Sequence, residues 1–281
     1  MNLPLSRLNL GDFTVSWLRG GTFSIDGGAM FGAVPKVLWS EKIDADNDNA
    51  ILLDNNVMLV QTGKNNIIID TGLGNKLTEK QQTIFKVSSP WLLPDDLETL
   101  GLATKDIDTV ILTHCDFDHA GGAVMLDDNG HEVPTFPNAK YVVQKDEWQD
   151  VHNTTKRSAN TYWPVNFAAL SENQVTVIEG AYEITSGINV LQTGGHTRGH
   201  QIVEIKSQGS TAVHLGDLLP TTHHRNPLWV MAFDNYPLDA IEEKERLIRF
   251  YSDQNAWFLF YHDIDCNACR LSADYQVTDV L

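Results

Sequence analysis

Short apolar runs, none longer than about six residues, alternate with polar turns along the whole chain. Residues 13–18 read as a first strand. Residues 57–62 and 66–70 alternate apolar with polar positions, are rich in β-branched side chains, and predict a hairpin around Gly63-Lys64-Asn65. Residues 108–112 form a buried run. Further strands are expected at 141–144, 175–178, 182–184, 188–193, 202–205, 211–215 and 257–261, with Gly180 and Gly187 as turns. Helical spacing marks 76–85, 95–101 and 145–152. At 239–251 it sets Ile241, Leu247, Ile248 and Tyr251 on one side and charged residues on the other.

Two stretches read differently. Residues 26–39 form a glycine-punctuated loop loaded with Met30, Phe31 and Trp39. Apolar groups on such a loop either wall a pocket or plug the edge of the core. Asp44, Asp46 and Asp48 imitate the opening of a calcium-binding loop, but Asn49 stands where a glycine is needed and Asn55 where a glutamate is needed. That stretch reads as a polar loop.

Composition narrows the class. The 281 residues are 42% hydrophobic, with seven Trp and eleven Phe, and no linker divides them, so a single domain over 1–281 is expected. A net charge of −17 without a basic cluster repels phosphate backbones and sets nucleic acid aside as a partner. Three cysteines argue against a disulfide framework. Residues 1–7 lack a basic segment followed by a long apolar one, and no run approaches the ~20 residues of a membrane span. A cytoplasmic protein with no membrane partner is the expectation.

The chemistry concentrates in Thr113-His114-Cys115-Asp116-Phe117-Asp118-His119-Ala120-Gly121-Gly122, whose closing glycine pair is expected to let the backbone turn tightly. A strand ending in two imidazoles and two carboxylates suits a metal centre, because these are ligands of zinc, iron and manganese. Alone, the cluster could be a solvated turn with an aspartate helix cap. Further donors close other apolar runs, however: His196, Asp217 and His262. Donors delivered by several strand ends need a cation to converge on. Asp70, closing a strand before Thr71-Gly72, suits a bracing role toward a neighbouring loop. Cys115, His200 and His214 read as structural, and the Cys266-x-x-Cys269 pair lacks a partner pair. No Gly-x-Ser-x-Gly elbow supports an acyl-serine route.

With these motifs in place, the sequence resembles the metallo-β-lactamase-fold hydrolases over most of its length. Asp70-Thr-Gly looks like the family's first motif, His114-x-x-x-Asp118-His119 its second, His196 its third, Asp217 its fourth and His262 its fifth. Gly27-Gly-Ala-Met-Phe-Gly and Gly216-Asp-Leu-Leu-Pro-Thr-Thr-His-His look most like the lactonase, esterase and organophosphate-hydrolase branch. The resemblance implies a four-layer αβ/βα sandwich: two mixed β-sheets face to face, helices on the outer faces, and two divalent metal ions at one edge. Carried over by position, His114, Asp116 and His196 would hold the first ion, Asp118, His119 and His262 the second, and Asp217 would bridge them. Asp116 departs from the pattern, which has a histidine there. A carboxylate hardens the site, so iron or manganese stand beside zinc. The implied reaction is attack by metal-activated hydroxide on a small lactone, carboxylic ester or phosphotriester. Asp118 would shuttle the proton, with Asp217 and His223 completing the catalytic set; His223 and His224 either face the substrate as acid or oxyanion donor or are surface loop histidines. Pro220 stands where homoserine lactonases carry a tyrosine. Asp116 also keeps open an iron-dependent oxidoreductase or dioxygenase, or a non-catalytic binding module with a degenerate site. The partner expected is a small-molecule substrate, with a homodimer left open.

Overall fold

The computed structural model describes residues 5–281; residues 1–4, part of the segment read for a leader, lie outside it. Two seven-stranded sheets carry the fold. The first begins with β1 (Arg7–Leu10), β2 (Phe13–Asp26), β3 (Ala50–Gln61), β4 (Asn66–Ile69) and β5 (Thr109–Ile111). A separate hairpin of β6 (Val124–Leu126) and β7 (Glu132–Pro134) follows, before β8 (Lys140–Gln144) and β9 (Val175–Ile178) complete that sheet. Pairing is antiparallel from β1 to β4 and parallel from β4 through β5 and β8 to β9.

The second sheet takes β10 (Ala181–Thr185), β11 (Ile188–Gln192), β12 (Gln201–Ser207), β13 (Ser210–His214), β14 (Trp257–Leu259), β15 (Ala268–Leu271) and β16 (Val277–Val280), in that spatial order. Only β13 and β14 run parallel. Both sheets are therefore mixed.

The period of two in strand side chains builds the layers. Val203 and Ile205 of β12 join Val57, Leu59, Ile67 and Val110 of the first sheet in one core. Their neighbour Ile202 points the other way, with Val213 and Phe258, onto Leu247, Ile248 and Tyr251 of the helix Pro237–Asp253. Leu93 and Leu97 of the helix Leu93–Thr99 and Val151 of the helix Lys145–His152 extend the first core outward. This is the αβ/βα sandwich of the resemblance.

Three expectations need correction. Residues 26–39 are not simply loop: Asp26 accepts from the Ala29 amide at 2.8 Å and starts a short helix, Gly27–Phe31, followed by another at Lys36–Trp39. Phe31 and Trp39 stack at 5.3 Å in a buried cluster and fill the core edge. The polar reading after Asp44 stops at Asn49, because Ala50–Asn55 extends β3 against the lengthened end of β2. Third, Gly121 and Gly122 are not sharp-turn glycines, for neither has a positive φ. They are small because backbone passes against them: a Cβ on Gly122 would lie 2.2 Å from the Thr71 carbonyl oxygen, and one on Gly121 2.4 Å from that of Leu73. Among the described residues, no helix is long and apolar enough to cross a membrane.

Candidate metal centre

The donors sit where parallel strands end, the position at which open α/β sheets present ligands. β4 leads to Asp70, β5 to His114–His119, β13 to Asp217 and β14 to His262, while the turn from β11 to β12 supplies His196. Asp70 takes a left-handed backbone (φ 56°), which aspartate tolerates better than most residues. Its carboxylate faces the next strand end.

All seven predicted donors come together. Three overlapping groups, His114–Asp116–His196, Asp118–His119–His262 and His114–His119–Asp217, each hold their ligand atoms within 4.8 Å of one another. Asp116 reaches inward despite its short side chain: its Oδ2 lies 3.3 Å from His196 Nε2 and 3.6 Å from His114 Nε2. Asp118 Oδ2 lies 3.6 Å from His262 Nε2 and 3.8 Å from His119 Nε2. Asp217 spans the two halves. Its Oδ1 is 3.3 Å from His119 Nε2 and 3.4 Å from His262 Nε2, and its Oδ2 is 3.5 Å from His196 Nε2 and 4.0 Å from His114 Nε2.

Each imidazole is oriented from behind. His119 Nδ1 donates to Asp70 at 3.0 Å, His196 Nδ1 to Asp234 at 2.8 Å, and His262 Nδ1 to the Asp54 carbonyl at 2.9 Å. Thr113 gives its hydroxyl proton to Asp70 at 2.7 Å, which leaves that oxygen to accept from His114 Nδ1 at 3.0 Å. With every Nδ1 proton spoken for, all four Nε2 atoms present lone pairs to the centre. His114 Nε2 and Asp217 Oδ1 are buried without a hydrogen-bond partner. His119 Nε2 and His262 Nε2 stand 3.0 Å apart. Two facing lone pairs at that distance repel unless a proton or a metal cation lies between them, and with three carboxylates and two further imidazoles converging beside them the donor set fits a cation.

Buried charges hold the frame. Burial alone would raise the Asp70 carboxyl, but His119 and His214 bring it down to about 2. His200, read as structural, is fully buried and held neutral, its pKa lowered to about 3 by burial. Its Nδ1 meets Thr193 at 2.8 Å and its Nε2 accepts the Asp217 amide at 3.2 Å, so it anchors the bridging residue. His214 donates to the Leu259 carbonyl at 3.0 Å.

His223 is not brought to the site. It does not line the cavity over the donors, and the charged groups around it are Asp263, Arg225, Asp265 and Lys42. Thr221 caps the one-turn helix Thr222–Arg225 and directs the next histidine inward instead. That residue, His224, is no surface histidine: it is wholly buried, stacks on Phe31 at 4.6 Å and bonds the Met30 carbonyl at 2.9 Å. Burial lowers its pKa to about 3, so it stays uncharged near neutrality and locks the loop with its single N–H on the Met30 carbonyl.

Residues outside the predicted set complete the frame. Tyr261 stacks on His119 at 4.3 Å and donates to the Asp118 carbonyl at 2.9 Å. Asp234 and Glu147 are buried carboxylates that no ligand pattern singles out. Above the donors lies a cavity of about 360 Å³. Phe23, Ile25, Met30, Leu53, Met231 and Phe233 make one wall apolar, and Arg157, Asn160 and Asn235 add polar groups. Its size and lining are those of a small-molecule site.

A family model for the metallo-beta-lactamase superfamily matches residues 50–260. The chain belongs to the metallo-beta-lactamase superfamily. An N-acyl homoserine lactonase of Bacillus thuringiensis is 25% identical over 231 residues, covering 77% of this chain and 84% of the relative. A structure described as a probable metal-dependent hydrolase from Staphylococcus aureus is 44% identical and superposes with a TM-score of 0.92, over 98% of both chains. A dizinc quorum-quenching lactonase, solved with a product, superposes at 0.81 with 19% identity, over 99% of this chain and 96% of its own, and shares the fold. Within the superfamily, the His/Asp cluster of this chain is the candidate metal-binding site.

Proposed function

We propose that this chain is a metallo-hydrolase that opens a small ester-like substrate, a lactone, carboxylic ester or phosphotriester, with two divalent cations held by the seven donors. The facing Nε2 atoms of His119 and His262, 3.0 Å apart with both Nδ1 protons committed elsewhere, carry this reading. Cations bound there would supply Lewis acidity and lower the pKa of a water toward neutrality. His114, Asp116 and His196 would hold one, Asp118, His119 and His262 the other, and Asp217 would give one oxygen to each. Asp118 also lines the cavity, where its free oxygen can carry a proton to a leaving group. The apolar wall would take the substrate's hydrocarbon part and exclude water. The lactonases among the relatives support the substrate class, and the dizinc neighbour supports zinc.

Metal analysis of the purified protein, followed by reconstitution with zinc, manganese or iron and a panel of lactones, aryl esters and organophosphates, tests the proposal. Two cations per chain and turnover within that panel are expected. A protein that binds no cation, or binds two and hydrolyses none of the panel, would overturn it.

One observation favours a second reading. Because Asp116 reaches the cluster, each half offers two imidazoles and one carboxylate beside the shared Asp217, a set that also suits iron. Iron as the native metal, with substrate-dependent oxygen uptake, would select an iron oxidoreductase over the hydrolase.

A further inference from the structure

Glu147 lies in the first turn of the helix Lys145–His152, wholly buried, and it is not one of the donors. Its Oε1 accepts the Cys115 amide at 2.8 Å and the Tyr162 hydroxyl at 2.5 Å, and its Oε2 accepts the Thr197 hydroxyl at 2.7 Å. Those three partners are not scattered. Cys115 sits between His114 and Asp116, Thr197 follows His196, and Tyr162 lines the cavity. The approach is close on the remaining side too, since a Cβ on Gly199 would lie 2.2 Å from the Glu147 backbone nitrogen. The other half of the cluster is braced by Tyr261, the Asp54 carbonyl and Asp70, the last of which also reaches His114 through Thr113, and Glu147 touches none of the three.

We infer that Glu147 is a positioning residue that acts on one cation site only, the one formed by His114, Asp116 and His196, and that it ties this half-site to the substrate wall through Tyr162. The carboxylate supplies acceptors that three buried donors cannot replace from water, so it fixes the spacing between the two segments bearing these ligands. Asp116 depends on this spacing most. Its side chain is short, and the loop carrying it must stand close to the loop carrying His196 for the 3.3 Å approach. The inference rests on the two-cation reading above.

The full-length protein, stripped of metal and titrated with zinc against a chromophoric chelator, tests it. Wild type should take up two equivalents. Glu147→Ala should keep one at wild-type affinity and weaken the other by about tenfold or more. Glu147→Gln, which retains one acceptor oxygen, should fall between them. Thr197→Val removes a single bond, should weaken the same equivalent, and decides the matter if Glu147→Ala does not fold. Double substitution assigns the site: Glu147→Ala should add little to Asp116→Ala but weaken the remaining strong equivalent of Asp118→Ala by the same factor as in wild type. Folded variants in which both equivalents keep wild-type affinity, or weaken equally, would overturn the role of Glu147 while leaving the two-cation reading intact. Wild type binding fewer than two would overturn that reading and the inference with it.

Discussion

Asp234 Oδ1 lies 2.8 Å from His196 Nδ1, while its Oδ2 accepts the Met231 amide at 2.9 Å. One carboxylate thus orients a candidate ligand and shapes the loop bearing Met231 and Phe233 of the cavity wall. Lysine 244, buried with its ammonium on the Trp229 carbonyl at 2.8 Å, supports that loop from the helix below. Asp234→Asn must turn an amide N–H₂ toward either His196 Nδ1–H or the Met231 N–H, two groups that can only donate. Cation affinity and kcat/KM should each fall by about 10–100-fold, measured by chelator competition and steady-state kinetics.

Asp116 should set metal preference. With its Oδ2 within 3.6 Å of two imidazole nitrogens, it would give the proposed first half-site a hard oxygen donor. Asp116→His should shift the metal taken from an equimolar mixture of zinc and manganese toward zinc, read by elemental analysis. An unchanged ratio would show that this carboxylate does not ligate.

Much of this was legible because strand periodicity and strand-end donors are local signals. The runs at 57–62, 66–70 and 108–112 correspond to β3, β4 and β5, and the donors they and later strands deliver meet at one edge. What stayed hidden is long-range. Asp234 and Glu147 act on loops 38 and 32 positions away, and nothing near either residue distinguishes it from a surface carboxylate. His223 and His224 stand side by side in sequence; Thr221's cap and the Met30 carbonyl, not local pattern, decide that only His224 turns inward. The strand at 50–55 was obscured by Asp54, Asn55 and Asn56, whose polar side chains are half-buried or buried in the fold.

Gly122 should resist even alanine. Its φ is unexceptional, so the penalty is steric: the new Cβ would meet the Thr71 oxygen at 2.2 Å and the Trp91 indole nitrogen at 2.9 Å. Trp91 also donates to that same Thr71 oxygen at 2.8 Å, so neither neighbour can retreat freely. Gly122→Ala should destabilise by about 1–3 kcal/mol in chemical denaturation, with weaker metal uptake because Thr71 bonds the His119 carbonyl.

Glu147 should also leave a mark on stability against pH. Burial raises its carboxyl from 4.5 to about 7, and the bonds from Tyr162 and Thr197 offset only part of that. Between these values the folded chain holds a proton that the unfolded chain has released, so stability must fall as pH rises through the window. The full loss is about 3 kcal/mol by the conversion of pKa shift to free energy. Glu147→Gln cannot titrate there. Denaturation of the metal-free proteins from about pH 4 to pH 8 should therefore show the wild type losing stability relative to Glu147→Gln, most steeply between about 5 and 7. Parallel curves would mean that the carboxyl ionises at its ordinary pH inside the fold, with its three donors outweighing burial.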